Sequence, residues 1–365
     1  MKILRTYLLK EIFIMFLFSL FIFTFSLVKG NLIKLADLVI NKGVSIAFLG
    51  KLFLFFIPFL LSYTIPMSAL SATLLFFGRL SSDNEITAMR AHGINLYRLT
   101  IPLITAGLIL SLFSIILNDE VLPKSHFASR KIIKNIGVKM PSAYLESGTF
   151  IKNFKDYIIF INKIYKNRLE GIRIYQIQGN RPTRTIIAKR GEFIPLEKQN
   201  AVKLKLMDGT SDEPDSKDPM HFYKLNFKNY YLTLEANEAI SSGDYIEKKP
   251  KEMNFQEIKQ EIKKLGCHHI DAPALIAEFH RKISISFASL VFIIIGISLG
   301  IFTKRGEKTV QFAVALAVIV VYYLLMAGGM AISLNTGHAI ALWVYAPNAL
   351  LAVIGIILFR KTIEQ

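Results

Sequence analysis

The chain has 365 residues, of which 52% are hydrophobic and only 19% charged, with 28 phenylalanines and a mean hydropathy of +0.41. So few charges cannot furnish an ordinary water-facing surface, which excludes a typical soluble globular protein and indicates a membrane protein. The formal net charge is +17, yet the basic residues are spread through membrane-flanking segments and a central block, and no RNA- or DNA-binding signature accompanies them, so nucleic acid is not the expected partner.

Lys2, Arg5 and Lys10 precede the first apolar run, residues 12–28. That run is long for the core of a signal peptide, and Lys29-Gly30-Asn31 follows it instead of a small-x-small site, so an uncleaved first transmembrane helix is expected. Residues 52–78 carry no charge and include Pro58 and Pro66. The run exceeds the ~20 residues that cross a bilayer, which predicts a tilt or a bend. Residues 99–117 and 283–303 supply the third and fourth spans. Residues 309–359 contain no Asp, Glu, Lys or Arg, have about twice the length of one crossing, and turn at Asn335-Thr336-Gly337-His338.

Six spans place both termini on one side. Lys2, Arg5, Lys10, Arg79, Arg90, Arg98, Lys304, Arg305, Lys308, Arg360 and Lys361 then share that side, and the short opposite loops hold only Lys29, Lys34, Lys42 and Lys51. The positive-inside rule makes the richer side cytoplasmic.

The polar block 118–282 falls on the far side in this arrangement, and its core reads as β. Residues 172–177 and 202–206 alternate with period two, the latter running into Asp208-Gly209, a turn signal. Further strand candidates are 157–161, 184–188, 222–227 and 230–234, with 212–219 as a polar hairpin tip. Short, closely spaced strands of this kind suggest a sandwich, jelly roll or partial barrel. Residues 254–265 then form an amphipathic helix with Phe255, Ile258, Ile262 and Leu265 on one face. The fold class expected is therefore six transmembrane helices with an inserted all-β, jelly-roll-like domain, divided as 1–117, 118–282 and 283–365.

Catalytic chemistry finds little support in this pattern. Residues 300–309 fail the phosphate-loop spacing, with one residue too many between the glycines and Glu307 before the lysine. His268, His269, Asp271, Glu278 and His280 do not have zinc-signature spacing and read as a solvated connector. Cys267 is the sole cysteine, so it forms no intrachain disulfide. The six apolar runs contain no Asp or Glu, which argues against an intramembrane protease or a carboxylate proton relay. No metal and no cofactor is expected.

Two features remain. In the second cytoplasmic loop, Ser81 or Ser82 can cap a short helix with Asp83 and Glu85 in its first turn. Ile86, Ala88 and Met89 give that helix an apolar face, and Gly93 ends it. Such a helix either grips an ATPase subunit or merely links two spans. On the opposite side, Lys29, Lys34, Lys42 and Lys51 either anchor helix ends or pair with a phosphorylated lipid head group.

Four segments carry a family resemblance: residues 1–11; Ile65-Pro66-Met67-Ser68-Ala69-Leu70 with Gly78-Arg79-Leu80 and 85–93; Asn118-Asp119-Glu120-Val121-Leu122-Pro123; and Glu278-Phe279-His280-Arg281-Lys282. In this order and frame the chain resembles the LptF/LptG family of lipopolysaccharide export permeases over essentially its whole length. The resemblance implies an inner-membrane permease with a periplasmic β jelly roll, and two such subunits above a dimeric LptB-like ATPase. It also implies hand-over of lipopolysaccharide to a periplasmic LptC-like protein. The loop around Glu85 would be the coupling helix, with Asp83, Met89, Arg90 and Gly93 beside it. Lys34, with Lys29 and Lys42, would match basic positions near lipid A phosphates. A permease for another lipid or lipoprotein, and a non-transporting scaffold, are the competing readings.

Overall fold

The computed structural model describes residues 2–40, 46–139, 148–154, 156–165, 168–178, 181–195, 201–214, 222–235, 248–265, 272–303, 308–336 and 339–364. The chain divides into two compact units, one formed by Met1–Gly30, Phe55–Phe127 and Lys248–Gln365, the other by Asn31–Leu54 and Ala128–Glu247.

The helices described are α1 (Lys2–Ile40), α2 (Ile46–Ser82), α3 (Glu85–Ala91), α4 (Leu96–Ile116), α5 (Leu122–Lys139), α6 (Phe255–Leu265), α7 (Ala272–Phe302), α8 (Lys308–Thr336) and α9 (Ile340–Glu364). Six candidate membrane spans run within them: Thr6–Gly30, Ile46–Ser82, Leu96–Ile133, Ala272–Phe302, Thr309–Asn335 and Ile340–Lys361. All but the fifth extend past the apolar run that marks them in the sequence, because helix formation does not stop where charge begins. The consequence is a correction: these helices do carry acids, with Glu11, Asp119, Glu120 and Glu278 inside the span limits. The turn at residues 337–338 and the loop at 304–307 lie outside the described residues.

Helix α7 is the centre of its unit. Its apolar window is 72% buried, against 17–33% for the other five spans. It meets α2 through Gly296 and Gly300, four residues apart on one helix face. A Cβ at Gly300 would stand 2.9 Å from the Leu74 carbonyl oxygen, and one at Gly296 would stand 3.0 Å from that of Leu70. Without a hydrophobic drive between helices in lipid, such close backbone approach is how they gain van der Waals contact.

The β unit holds one six-stranded antiparallel sheet, β1 (Phe150–Phe154), β2 (Tyr157–Tyr165), β3 (Arg168–Gln178), β4 (Arg181–Pro195), β5 (Ala201–Pro214) and β6 (Phe222–Glu235), in that spatial order. The all-β insertion agrees with expectation. Among the described strands every spatial neighbour is a sequence neighbour, a meander without crossovers. The two candidates 222–227 and 230–234 are one strand, β6. The Asp208-Gly209 pair is not a turn: β5 runs through it, with Asp208 at φ 54°. The connection expected at 212–219 joins Pro214 to Phe222, which pair across β5 and β6, and its tip lies outside the described residues.

The reason for that misreading is a crease. One face buries Ile159, Ile161, Leu169, Ile172, Ile174, Ile186, Ala188, Phe193, Leu204, Leu206, Leu232 and Leu234 as a single apolar cluster. On β2 to β6 the alternation slips by one residue at the same place. Ala188 and Gly191 are buried, while Lys189 and Arg190 between them are both exposed. Glu170 and Gly171 repeat the pattern between Leu169 and Ile172, and Lys228 and Asn229 between Phe227 and Tyr230. The register aligns these sites strand to strand, through Glu170 with Arg190 and Met207 with Asn229. Gly171 (φ 65°) and Asp208 absorb the left-handed backbone the slip demands.

Candidate functional site

The loop between α2 and α4 forms as expected, with changed caps. Neither serine caps α3. Both remain in α2, where Ser81 Oγ donates to the Ile301 carbonyl at 3.1 Å and Ser82 Oγ to that of Arg79 at 2.9 Å. Asn84, at φ 59°, occupies the position before Glu85 and lets the chain reverse within two residues. The C-terminus matches the expectation for Gly93. At φ 70° it donates to Arg90 O at 2.9 Å, and Ile94 N donates to Met89 O at 3.0 Å, the paired bonds of a Schellman stop.

Burial sorts the residues of α3. Ile86 is buried, and Met89 packs against the cluster formed by Phe76, Phe77, Leu80 and Ile301. Arg90 is half-buried, while Asp83, Glu85, Thr87, Ala88 and His92 are exposed. The helix is thus pinned by its apolar face and presents an acidic, small-residue face outward. Chemically that face can pair with cations; it holds no nucleophile beside a base.

The lysines are not gathered into a site by the described residues. Lys29 is exposed on α1, Lys34 lies on α1 by its backbone with its side chain outside the description, and Lys42 lies outside the described residues. Cys267, His268, His269 and Asp271 also lie outside them.

The sequence reading missed a buried polar network around α7. Glu278 grips Arg281 through two bonds, Nε to Oε2 at 2.8 Å and Nη2 to Oε1 at 2.6 Å. Arg281 Nη1 also reaches the Tyr63 hydroxyl at 3.4 Å, and the Tyr323 hydroxyl donates to the Tyr63 carbonyl at 3.2 Å. His280 Nδ1 is 3.2 Å from the Tyr345 hydroxyl, so Glu278 and His280 are engaged within the bundle rather than in a solvated connector. Lys282, fully buried, donates to the Met253 carbonyl beneath the Phe255 ring.

A second node sits where α4 passes into α5 through a π-helical turn, Leu117–Val121. The extra residue of that turn lets adjacent side chains serve different partners. Asn118 accepts from Ser62 at 2.7 Å and donates toward Ser286 at 3.2 Å, tying α2, α4 and α7. Asp119 accepts the backbone N–H of Phe255 at 2.6 Å and so holds the start of α6. Helix α6 is further set by a reciprocal cap, Asn254 with Glu257 at 2.8 and 3.0 Å, and by Ile258 packing on Met253 and Leu275. Burial alone pushes the Glu257 carboxyl up, but Lys248 and the Asn254 N–H outweigh it and hold the group below the usual carboxylate range. A third contact joins Glu11 of α1 to Arg79 of α2.

One of these contacts had a local signal: Glu278 and Arg281 are three apart, hence on one helix face.

Six helices apolar enough to cross a membrane, several of them tied together by buried polar groups, with a β unit inserted in mid-chain, define a multi-pass membrane protein. The chain belongs to the family of the lipopolysaccharide export system permease LptF/LptG, whose model matches residues 6–361. It is also similar to the uncharacterized protein RP871 of Rickettsia prowazekii (strain Madrid E), 23% identical over 243 residues. That match covers 66% of each chain, so this chain spans about two thirds of the relative's length.

Proposed function

We propose that the chain is a permease subunit of an ATP-driven exporter that extracts lipopolysaccharide from the inner membrane and passes it to a periplasmic bridge. The observation that carries this reading is the family match across residues 6–361. Both termini and α3 face the cytoplasm, and the β unit faces the periplasm. ATP is hydrolysed on a separate LptB-like dimer, a second homologous permease completes the pore, and an LptC-like protein receives the lipid. The working division of the chain is 1–117, 118–282 and 283–365.

In this reading α3 is the coupling helix. Glu85 and Asp83 meet basic residues of the ATPase, Ile86 and Met89 root the helix in the bundle, Arg90 flanks it, and Gly93 fixes its end. Lys34, with Lys29 and Lys42, pairs with phosphates of the lipid. The division of labour follows from energetics. Each methylene of a multi-acyl lipid costs about 0.8 kcal/mol to expose to water, so the carrier must supply a continuous apolar path and take its work from elsewhere. Glu85→Lys tests the coupling directly. Lipopolysaccharide-stimulated ATPase activity of the assembled complex should fall by roughly tenfold or more, with the charge reversal opposing a cation at the interface. Wild-type activity in that variant sinks the assignment of α3.

A further inference from the structure

The crease does more than bend the sheet. On the face opposite the apolar cluster it opens a depression of about 540 Å³, lined among others by Phe160, Asn162, Arg173, Lys189, Asp208 and Thr210. Alternation would send every second side chain of each strand to this face. The slip sends two in succession, Lys189 with Arg190 on β4 and Met207 with Asp208 on β5, and crowds charge around one trough. Gly171 lines it at φ 65°, where a Cβ would stand 3.0 Å from the Asn162 Cβ.

The lining has a definite chemistry. Asp208 accepts from Arg190 Nη2 at 2.6 Å, an ion pair at the rim. Lys189 and Lys228 lie close enough to help hold the Asp208 carboxyl below its usual range, after the Arg190 bond that contributes most. Arg173 and Lys189 therefore leave the trough positive beyond what Asp208 balances. Asn162 and Thr210 add amide and hydroxyl groups that can both donate and accept. Phe160 adds a half-buried aromatic ring, and Ile187 an exposed aliphatic patch. Cations fit an anionic group, paired amide and hydroxyl groups fit a ring of hydroxyls, and an aromatic face fits the C–H face of a sugar. The volume is that of a small-molecule site, in the range of roughly 300–1,000 Å³.

We propose that this depression is a binding site for a phosphorylated sugar, with Arg173 and Lys189 holding the phosphate and Asn162, Asp208, Thr210 and Phe160 holding the ring. The site is separate from Lys34 and from α3. It stands on the sheet alone; only the source of the sugar, a glycolipid head group or a free sugar phosphate, rests on the export reading.

The test uses the full-length chain in detergent and glucosamine 1-phosphate as the probe, followed by saturation-transfer NMR and a binding titration. Glucosamine and inorganic phosphate are titrated separately. Glucosamine 1-phosphate should bind, with each half alone weaker by about tenfold or more. The double variant Arg173→Gln/Lys189→Gln should weaken binding by about tenfold or more, as removal of charge-assisted bonds does. Phe160→Ala should weaken it several-fold, and Lys203→Gln, whose ammonium lies over Tyr231 at 4.9 Å, should leave it unchanged. Circular dichroism and melting report folding; if the double variant is unfolded, Lys189→Gln alone is read. No binding up to about 10 mM, binding indifferent to these substitutions, or inorganic phosphate binding as well as the sugar phosphate overturns the proposal. Purified lipopolysaccharide then competes. Displacement identifies a head-group site, and absence of displacement identifies a free sugar phosphate. A chain that binds the probe but carries no lipopolysaccharide keeps this site and loses the export reading, so the two ideas fail separately.

Discussion

The helical unit and the β unit treat polar groups in opposite ways. In the bundle, polar side chains are sunk into the core: Asn118, Glu278 and Lys282 are each at most 1% exposed. In the sheet the core cluster is apolar, and the buried polar side chain among the described residues is Ser211, which accepts from Arg184 Nε at 2.9 Å. The difference follows from what each element already satisfies. A transmembrane helix meets its own backbone bonds and is apolar all round, so apolar contact alone cannot specify which neighbour it packs against; paired polar groups and close glycine contacts can. A sheet takes its orientation from alternation and needs no such devices, until a crease shifts the alternation by one.

That contrast can be broken most severely at Glu278. Glu278→Ala leaves Arg281 buried without its carboxylate, and loss of one partner of a buried pair costs about 3–5 kcal/mol. Thermal unfolding in detergent should show a large drop in midpoint; a midpoint within a degree or two of wild type would mean the network is ornamental. A smaller effect separates the glycines. Gly300→Leu must displace the Leu74 backbone and should cost about 1–3 kcal/mol or more. Gly328→Leu, where a Cβ meets nothing within 4 Å, should be near neutral. Equal effects at both positions would remove close approach as the cause.

The smallest expected effect is pH-dependent. The Glu257 carboxyl is lowered in the folded state, so its contribution is present above the unfolded-state value near 4.5 and is lost as pH falls through the lower folded value. With a side chain 37% exposed, solvent screening holds this to about 0.5 kcal/mol. Glu257→Gln should reduce the loss of stability between neutral and acid pH by that amount, and an unchanged acid limb would assign the loss to other groups.

Much of the fold was legible because hydrophobic runs announce themselves. Six spans were readable, yet α7 begins at Ala272 rather than at 283, since an ion pair on one face lets a helix carry charge into the bundle. Parts of β3 and β5 were legible by alternation, and parts of β2, β4 and β6 as further strand candidates. The candidates split β6 at Lys228 and Asn229, where the in-out pattern slips, and Asp208-Gly209 looked like a turn because an Asp-Gly pair ordinarily marks one. Of the site, α3 and its Gly93 stop were readable from local residues. The partners of Glu11, Asn118 and Asp119 were not, since they lie scores of residues away and no local pattern encodes them.

The most direct measurement of the central claim is the lipid that leaves the native membrane with this chain and its assembled complex, identified by mass spectrometry, for wild type and for Lys34→Glu. The account predicts lipopolysaccharide with the wild type and roughly tenfold less with the variant, as loss of a charge-assisted phosphate contact requires. Phospholipid alone in the wild type would contradict the export reading, and equal lipopolysaccharide in both would contradict the phosphate role of Lys34.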